Sequence, residues 1–120
     1  MAMVMKAYEY EVPSIYVYYS NDLKDLSRLD EVLWGIEEEG IPFDLKAKEC
    51  NTSEELSHLA SMQSKLLVGI GIDSKGKITL TLNKLEKDKP LFTMNLDDDN
   101  SKLRDLGSNA GRLVKGIAFK

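Results

Sequence analysis

The spacing of apolar and polar positions divides this chain into an ordered series of strands and helices. Ser14 to Tyr19 (SIYVYY) is dense in β-branched and aromatic residues and predicts a buried first strand. Ser20, Asn21 and Asp22 follow, all residue types that cap helices, so a helix is expected from about Asp22 to Glu39. Leu26, Leu29, Leu33 and Ile36 recur three or four positions apart and line its core face. Gly40 stops the helix and Pro42 lies just beyond. A short strand is expected near Pro42 to Lys46. Thr52 and Ser53 then cap a second helix to about Met62, with Leu56, Leu59 and Ala60 or Met62 turned inward.

Leu66 to Ile72 (LLVGIGI) is a continuous apolar run, the mark of a central strand. Asp73 to Gly76 predicts a turn, and Lys77 to Leu82 (KITLTL) alternates in the way of a half-covered strand. Together they predict a β-hairpin. A further strand is expected over Leu91 to Met94, after Pro90. Asp97 to Asn100 leads into a last helix from Ser101 to about Lys115. Leu103, Leu106, Ala110 and Leu113 form its core stripe, with Gly107 and Gly111 beside it. Two glycines weaken a helix and suggest close packing against the sheet or a partner.

The order β-α-β-α-β-β-β-α predicts parallel strands with helical crossovers, followed by a hairpin that reverses one strand. The expected class is α/β: a three-layer α/β/α sandwich around a five-stranded mixed sheet with one strand antiparallel. Residues 1–13 are assigned to a partly ordered lead-in and residues 14–120 to a single domain.

Composition narrows the function classes. A chain of 120 residues, 42% hydrophobic and 30% charged, suits one globular core rather than a disordered chain. The net charge is -4, and the 16 Lys and Arg are scattered rather than striped, which argues against a nucleic-acid partner. No apolar run approaches the roughly 20 residues that span a bilayer. Residues 1–11 lack the apolar stretch of a secretory signal. One cysteine, Cys50, permits no internal disulfide and fits a reducing compartment. A cytoplasmic protein is expected, with no membrane partner.

Candidate chemistry is sparse. Gly69-Ile70-Gly71 lacks the third glycine and the following helix of a dinucleotide loop; close packing onto the strand is the better reading. His58 has no second ligand at metal-binding spacing, and Cys50 has no histidine nearby in sequence to act as a base. Asp97, Asp98 and Asp99 lack EF-hand spacing and precede a helix, where capping explains them. The first helix is more informative. With about 100° per residue, Glu31, Gly35 and Glu38 fall opposite the leucine stripe, Trp34 on their flank and Glu37 near the core edge. A bulky aromatic, a bare backbone spot and two carboxylates suit a docking face. A solvated acidic helix face is the other reading, and the residues leave both open.

Four blocks, in order, carry a family resemblance. They are Glu31 to Phe43 (EVLWGIEEEGIPF), Leu66 to Gly71 (LLVGIG), Pro90 to Thr93 (PLFT) and Asn109 to Gly116 (NAGRLVKG). From Ser14 onward the chain resembles the small subunit of diol/glycerol dehydratase-reactivating factors. The resemblance implies a fold similar to the dehydratase medium subunit and to anticodon-binding domains. It implies a non-catalytic subunit that binds no cofactor alone. Its partner would be a large, actin-like ATPase subunit, in a heterotetramer. The dehydratase would displace the small subunit during the cycle, so that damaged cobalamin leaves. The cycle would run in the cytoplasm or inside a bacterial microcompartment.

The resemblance also maps a divalent metal, Mg or Ca, at the subunit junction onto Glu38. The expected partner interface is Glu31, Trp34, Gly35 and Glu38. Two departures from the family pattern are Ala118-Phe119 in place of Pro-Phe and the acidic stretch Asp97 to Asn100. The alternative is a dehydratase medium-subunit relative that helps bind cobalamin within the enzyme.

Overall fold

The structure, a computed structural model, describes residues 12–49 and 52–120. The lead-in up to residue 11 and Cys50 lie outside the described residues. The elements are β1 (Ile15–Ser20), α1 (Leu29–Glu38), β2 (Phe43–Lys48), α2 (Ser53–Gln63), β3 (Val68–Ile72), β4 (Lys77–Leu82), β5 (Phe92–Asn95) and α3 (Asn100–Lys115). The sheet order is β2-β1-β3-β4-β5. β1 runs parallel to β2 and β3, and β4 runs antiparallel to both β3 and β5. The apolar run centred on Ile70 is thus the middle strand of a mixed sheet, as its lack of alternation implied.

The two faces of the sheet are built on different principles. Ile15, Val17, Val68, Ile70, Ile72, Ile78 and Leu80 form one face and meet Leu29, Val32, Leu33 and Ile36 of α1 and Leu103, Leu106 and Ala110 of α3. This is the larger apolar core. The other face carries Tyr16 and Tyr18, which pack with Leu56 and Ala60 of α2. It also carries Gly69 and Gly71. A Cβ on Gly69 would lie 2.4 Å from Ser57 O, and one on Gly71 would lie 2.3 Å from Ser53 O. The glycines therefore let the α2 backbone rest on the strand.

That close approach corrects the expected inward face of α2. Ser53, Leu56, Ser57, Ala60 and Ser61 are buried, whereas Leu59 and Met62 are exposed. Helix and strand are too near each other for more leucines, and small hydroxyl side chains fill the gap. Thr79 Oγ1 on β4 lies 2.9 Å from Ser53 O and 2.7 Å from Ser57 Oγ, which satisfies buried polar atoms on both sides. Thr52 caps α2 as expected, its hydroxyl accepting from Glu55 N at 3.0 Å.

The first helix is shorter than its sequence suggests. It begins at Leu29, with Arg28 at the N-cap and no side-chain cap. Asp25 instead accepts from Ser27 N at 2.9 Å and closes a local turn. The Arg28 guanidinium donates to Leu96 O at 3.1 Å and to Asp98 O, tying this loop to the lead-in of α3. The acidic run behaves differently from the expectation too. Asp99 occupies the α3 N-cap position but its side chain caps nothing; Asp98 Oδ2 accepts from Asn95 N at 3.0 Å and closes the turn after β5.

Candidate functional site

α1 and α3 lie side by side on one face of the sheet, and their shared outer surface gathers most of the expected site. Three carboxylates, Glu37, Glu38 and Glu39, end or follow α1, whose last turn has no basic residue. Acids at a helix C-terminus oppose the helix dipole, so they need cations from elsewhere. α3 supplies them. Arg112 Nε lies 3.1 Å and Lys115 Nζ 2.6 Å from the Glu39 carboxylate. These partners hold Glu39 below the usual carboxylate range, the Lys115 hydrogen bond first and that of Arg112 second. Gly111 leaves room for this side chain, since a Cβ there would lie 2.6 Å from Glu39 Cβ.

Arg104 does the corresponding work about two turns before Arg112 on α3. Its Nη2 and Nε donate to Glu31 Oε1 at 3.0 and 3.2 Å, and its Nη1 donates to Glu38 Oε2 at 2.9 Å. Its guanidinium carbon stands 5.3 Å from the centroid of the Trp34 ring. Arginine suits this position because a planar fork can bridge two carboxylates and lie over an aromatic face at once. Beside it is a shallow depression of about 340 Å³ lined by Glu31, Asn100, Ser101, Arg104 and Asp105.

Of the four expected interface residues, three share this surface. Trp34 is 46% exposed, large for an aromatic. The Glu38 side chain is also 46% exposed, and that of Glu31 is 18% exposed. Gly35 is different and corrects the expectation. It is buried, and a Cβ there would lie 2.1 Å from Arg104 O and 2.7 Å from Ser108 N. The backbone that approaches the bare spot is the chain's own α3, so Gly35 serves packing within the domain. Sequence reasoning misses Arg104. Its one signal is a cation on the last helix facing a helix with an uncompensated acidic end.

Other candidates stay minor. His58 is half-buried on α2, and among the described residues no group of three or more His, Cys, Asp or Glu is placed to hold a metal. A second groove, about 330 Å³, lies beyond the ends of β1 and β5; it carries Asp22, Asp25 and Asp97 as well as Lys24, Arg28 and Lys75. Its mixed charge selects no one ligand class. Among the described residues no helix is long and apolar enough to cross a membrane.

Known proteins share this sequence and fold. The family described as dehydratase medium subunit matches residues 12–120. A propanediol dehydratase-reactivating factor small subunit from Citrobacter freundii is 41% identical over 108 residues, covering 90% of each chain. Among solved structures, a glycerol dehydratase reactivase superposes with a TM-score of 0.87 at 35% identity, covering 90% of this chain and 96% of the other. A diol dehydratase-reactivating factor, described as complexed with ADP and Mg2+, superposes with a TM-score of 0.84 at 36% identity, over 92% of this chain and 99% of the other. On this sequence and structural likeness, the chain belongs to the family of diol/glycerol dehydratase-reactivating factor small subunits, within the wider dehydratase medium-subunit family.

Proposed function

We propose that this chain is the non-catalytic small subunit of an ATP-dependent factor that reactivates an adenosylcobalamin-dependent diol or glycerol dehydratase. Residues 14–120 act as one domain, in the cytoplasm, and dock on a large ATPase subunit in a heterotetramer. The dehydratase then displaces the small subunit, and damaged cobalamin leaves the opened enzyme. The small subunit reserves a binding face and makes or breaks no covalent bond.

The observation that carries this reading is Trp34, half-exposed on α1 between Glu31 and Glu38 and flanked by Arg104. Tryptophan and arginine are the residues most enriched where binding energy concentrates at interfaces. A rigid pair of helices displays them, so little order is lost on docking.

A divalent cation at the junction fits Glu38 as one ligand. The carboxylate is accessible, and its Oε2 already holds a cationic group at 2.9 Å. Mg2+ or Ca2+ takes about six to eight oxygens, so the large subunit supplies most of them. When bound, the ion joins carboxylates of two chains that would otherwise repel. The similar diol dehydratase-reactivating factor is described as complexed with ADP and Mg2+, which supports a divalent cation somewhere in such a complex.

The test is assembly with the large subunit, measured by calorimetry with and without Mg2+. Glu38→Ala is expected to weaken binding and reduce its Mg2+ dependence while the subunit stays folded. Unchanged affinity and unchanged metal content would remove Glu38 from the junction. A medium-subunit-like role, suggested by the family's description, predicts cobalamin binding by the chain or by a dehydratase that contains it; equilibrium dialysis with cobalamin separates the two.

A further inference from the structure

The two carboxylates that face Arg104 are not equivalent. Glu31 accepts two hydrogen bonds from the guanidinium, is the less exposed of the two, and sits in the first turn of α1, where the helix dipole favours an acid. Glu38 accepts one, is more exposed, and sits in the last turn, where the dipole disfavours an acid. Arg104 has a third hold in the Trp34 ring. It can therefore let go of Glu38 and still keep two of its three contacts.

Glu38, by contrast, has both oxygens engaged with α3. Oε2 meets Arg104 Nη1 at 2.9 Å, and Oε1 lies 3.5 Å from the buried Ser108 hydroxyl. A cation that takes Oε2 competes directly with the guanidinium, because a singly and a doubly charged cation on one oxygen repel strongly.

We propose that Arg104 is an internal counter-ion for Glu38: it holds this carboxylate in the free subunit and gives it up to a divalent cation on assembly, remaining anchored on Glu31 and Trp34. This rests on the reading of Glu38 as a junction ligand. Arg104 keeps an acid at the wrong end of a helix neutralised until the large subunit brings the remaining oxygens. It also sets how much metal assembly requires, since each docking event exchanges an internal ion pair for a metal bond. Glu31 sets the strength of that competition by holding Arg104 back.

The experiment measures the Mg2+ midpoint for assembly of the full-length subunit with its large subunit, by calorimetric titration at several Mg2+ concentrations. The midpoint is the readout, because binding at saturating Mg2+ would also report any direct contact of Arg104. Arg104→Gln is expected to lower the midpoint by about two- to fivefold, the upper range for loss of one exposed ion pair. Glu31→Gln is expected to raise it, since Arg104 then leans on Glu38. Lys102→Gln removes one exposed positive charge from the same helix away from this contact, and is expected to move the midpoint by less than about twofold, as screened charges do.

If Arg104→Gln and Glu31→Gln leave the midpoint unchanged, or move it in the same direction, while Glu38→Ala abolishes the Mg2+ dependence, the counter-ion role is overturned and the docking reading stands. A shift from Lys102→Gln as large as that from Arg104→Gln also overturns it. If Glu38→Ala leaves the dependence intact, the reading of Glu38 as a junction ligand itself falls.

Discussion

Gly35 of α1 and Gly107 of α3 face each other at a helix contact that admits a side chain on neither. A Cβ on Gly107 would lie 1.9 Å from Val32 O, and a Cβ on Gly35, next to Gly107 Cα, would lie 2.1 Å from Arg104 O. Real Cβ atoms do not approach backbone atoms that closely, so any larger residue must push the helices apart. The same contact aligns Arg104 with Glu31 and Glu38, since all three flank it. Packing and the candidate docking surface are thus coupled through two glycines.

Gly107→Ala should therefore destabilise the domain despite the better helix propensity of alanine. Propensity returns about 1 kcal/mol. Overpacking typically costs about 1–3 kcal/mol, and a clash with the α1 backbone at Val32 and Ile36 lies at the upper end. A net loss of roughly 1–2 kcal/mol is expected in urea unfolding. A variant as stable as the parent would show that the helices can separate freely.

Thr79→Val keeps the shape of a buried residue and removes its hydroxyl. Ser53 O and Ser57 Oγ each lose a near neighbour that water cannot replace, because all three residues are fully buried. The expected cost is about 1–3 kcal/mol, read from denaturant midpoints. Loss of stability without a change in unfolding slope would match the loss of these hydrogen bonds.

Glu39 makes stability depend on pH on the acid side. Lys115 and Arg112 lower its pKa on folding. Its contribution is then fully present at neutral pH, above the usual carboxylate range, and is lost as pH falls through the depressed folded value. Glu39→Gln should lower the melting temperature at about pH 7 and narrow its gap to the parent near about pH 3. A gap that persists or widens in acid would contradict the assigned sign.

Trp34→Ala separates binding from folding. The side chain is half-exposed and stands over Arg104 rather than in the apolar core. Stability should change by less than about 1 kcal/mol in thermal unfolding, as for most surface substitutions. Binding to the large subunit should weaken by about tenfold or more, the size of a hot-spot loss. A large drop in stability with unaltered binding would make Trp34 a structural residue.

The strands and the hairpin are the most legible part of the fold. Lys77 to Leu82 alternates because one β4 face meets the leucine-rich helices and the other meets serines and glycines. Thr52 announces α2 because a cap is a local hydrogen bond, closed within three residues. The start of α1 is hidden because Ser20, Asn21 and Asp22 offer the same cap chemistry, while Arg28 is held by carbonyls that come much later in the chain. The exposure of Leu59 and Met62 is hidden because apolar spacing records a helix's periodicity and not the distance at which it packs.

The amino-acid order by itself determined the element types, the central place of β3, the outward position of Trp34 and Glu38, and the family to which the four blocks point. Each depends on neighbours a few residues apart or on a contiguous motif. Only the tertiary structure decided that Gly35 faces inward and that Arg104 bridges Glu31 and Glu38. A helix wheel ranks positions around one axis, but α1 packs on two neighbours at once, the sheet and α3. Which of its sides meets the second neighbour is set by how the helices are laid side by side across the sheet, and that arrangement is not encoded in the periodicity of either helix alone.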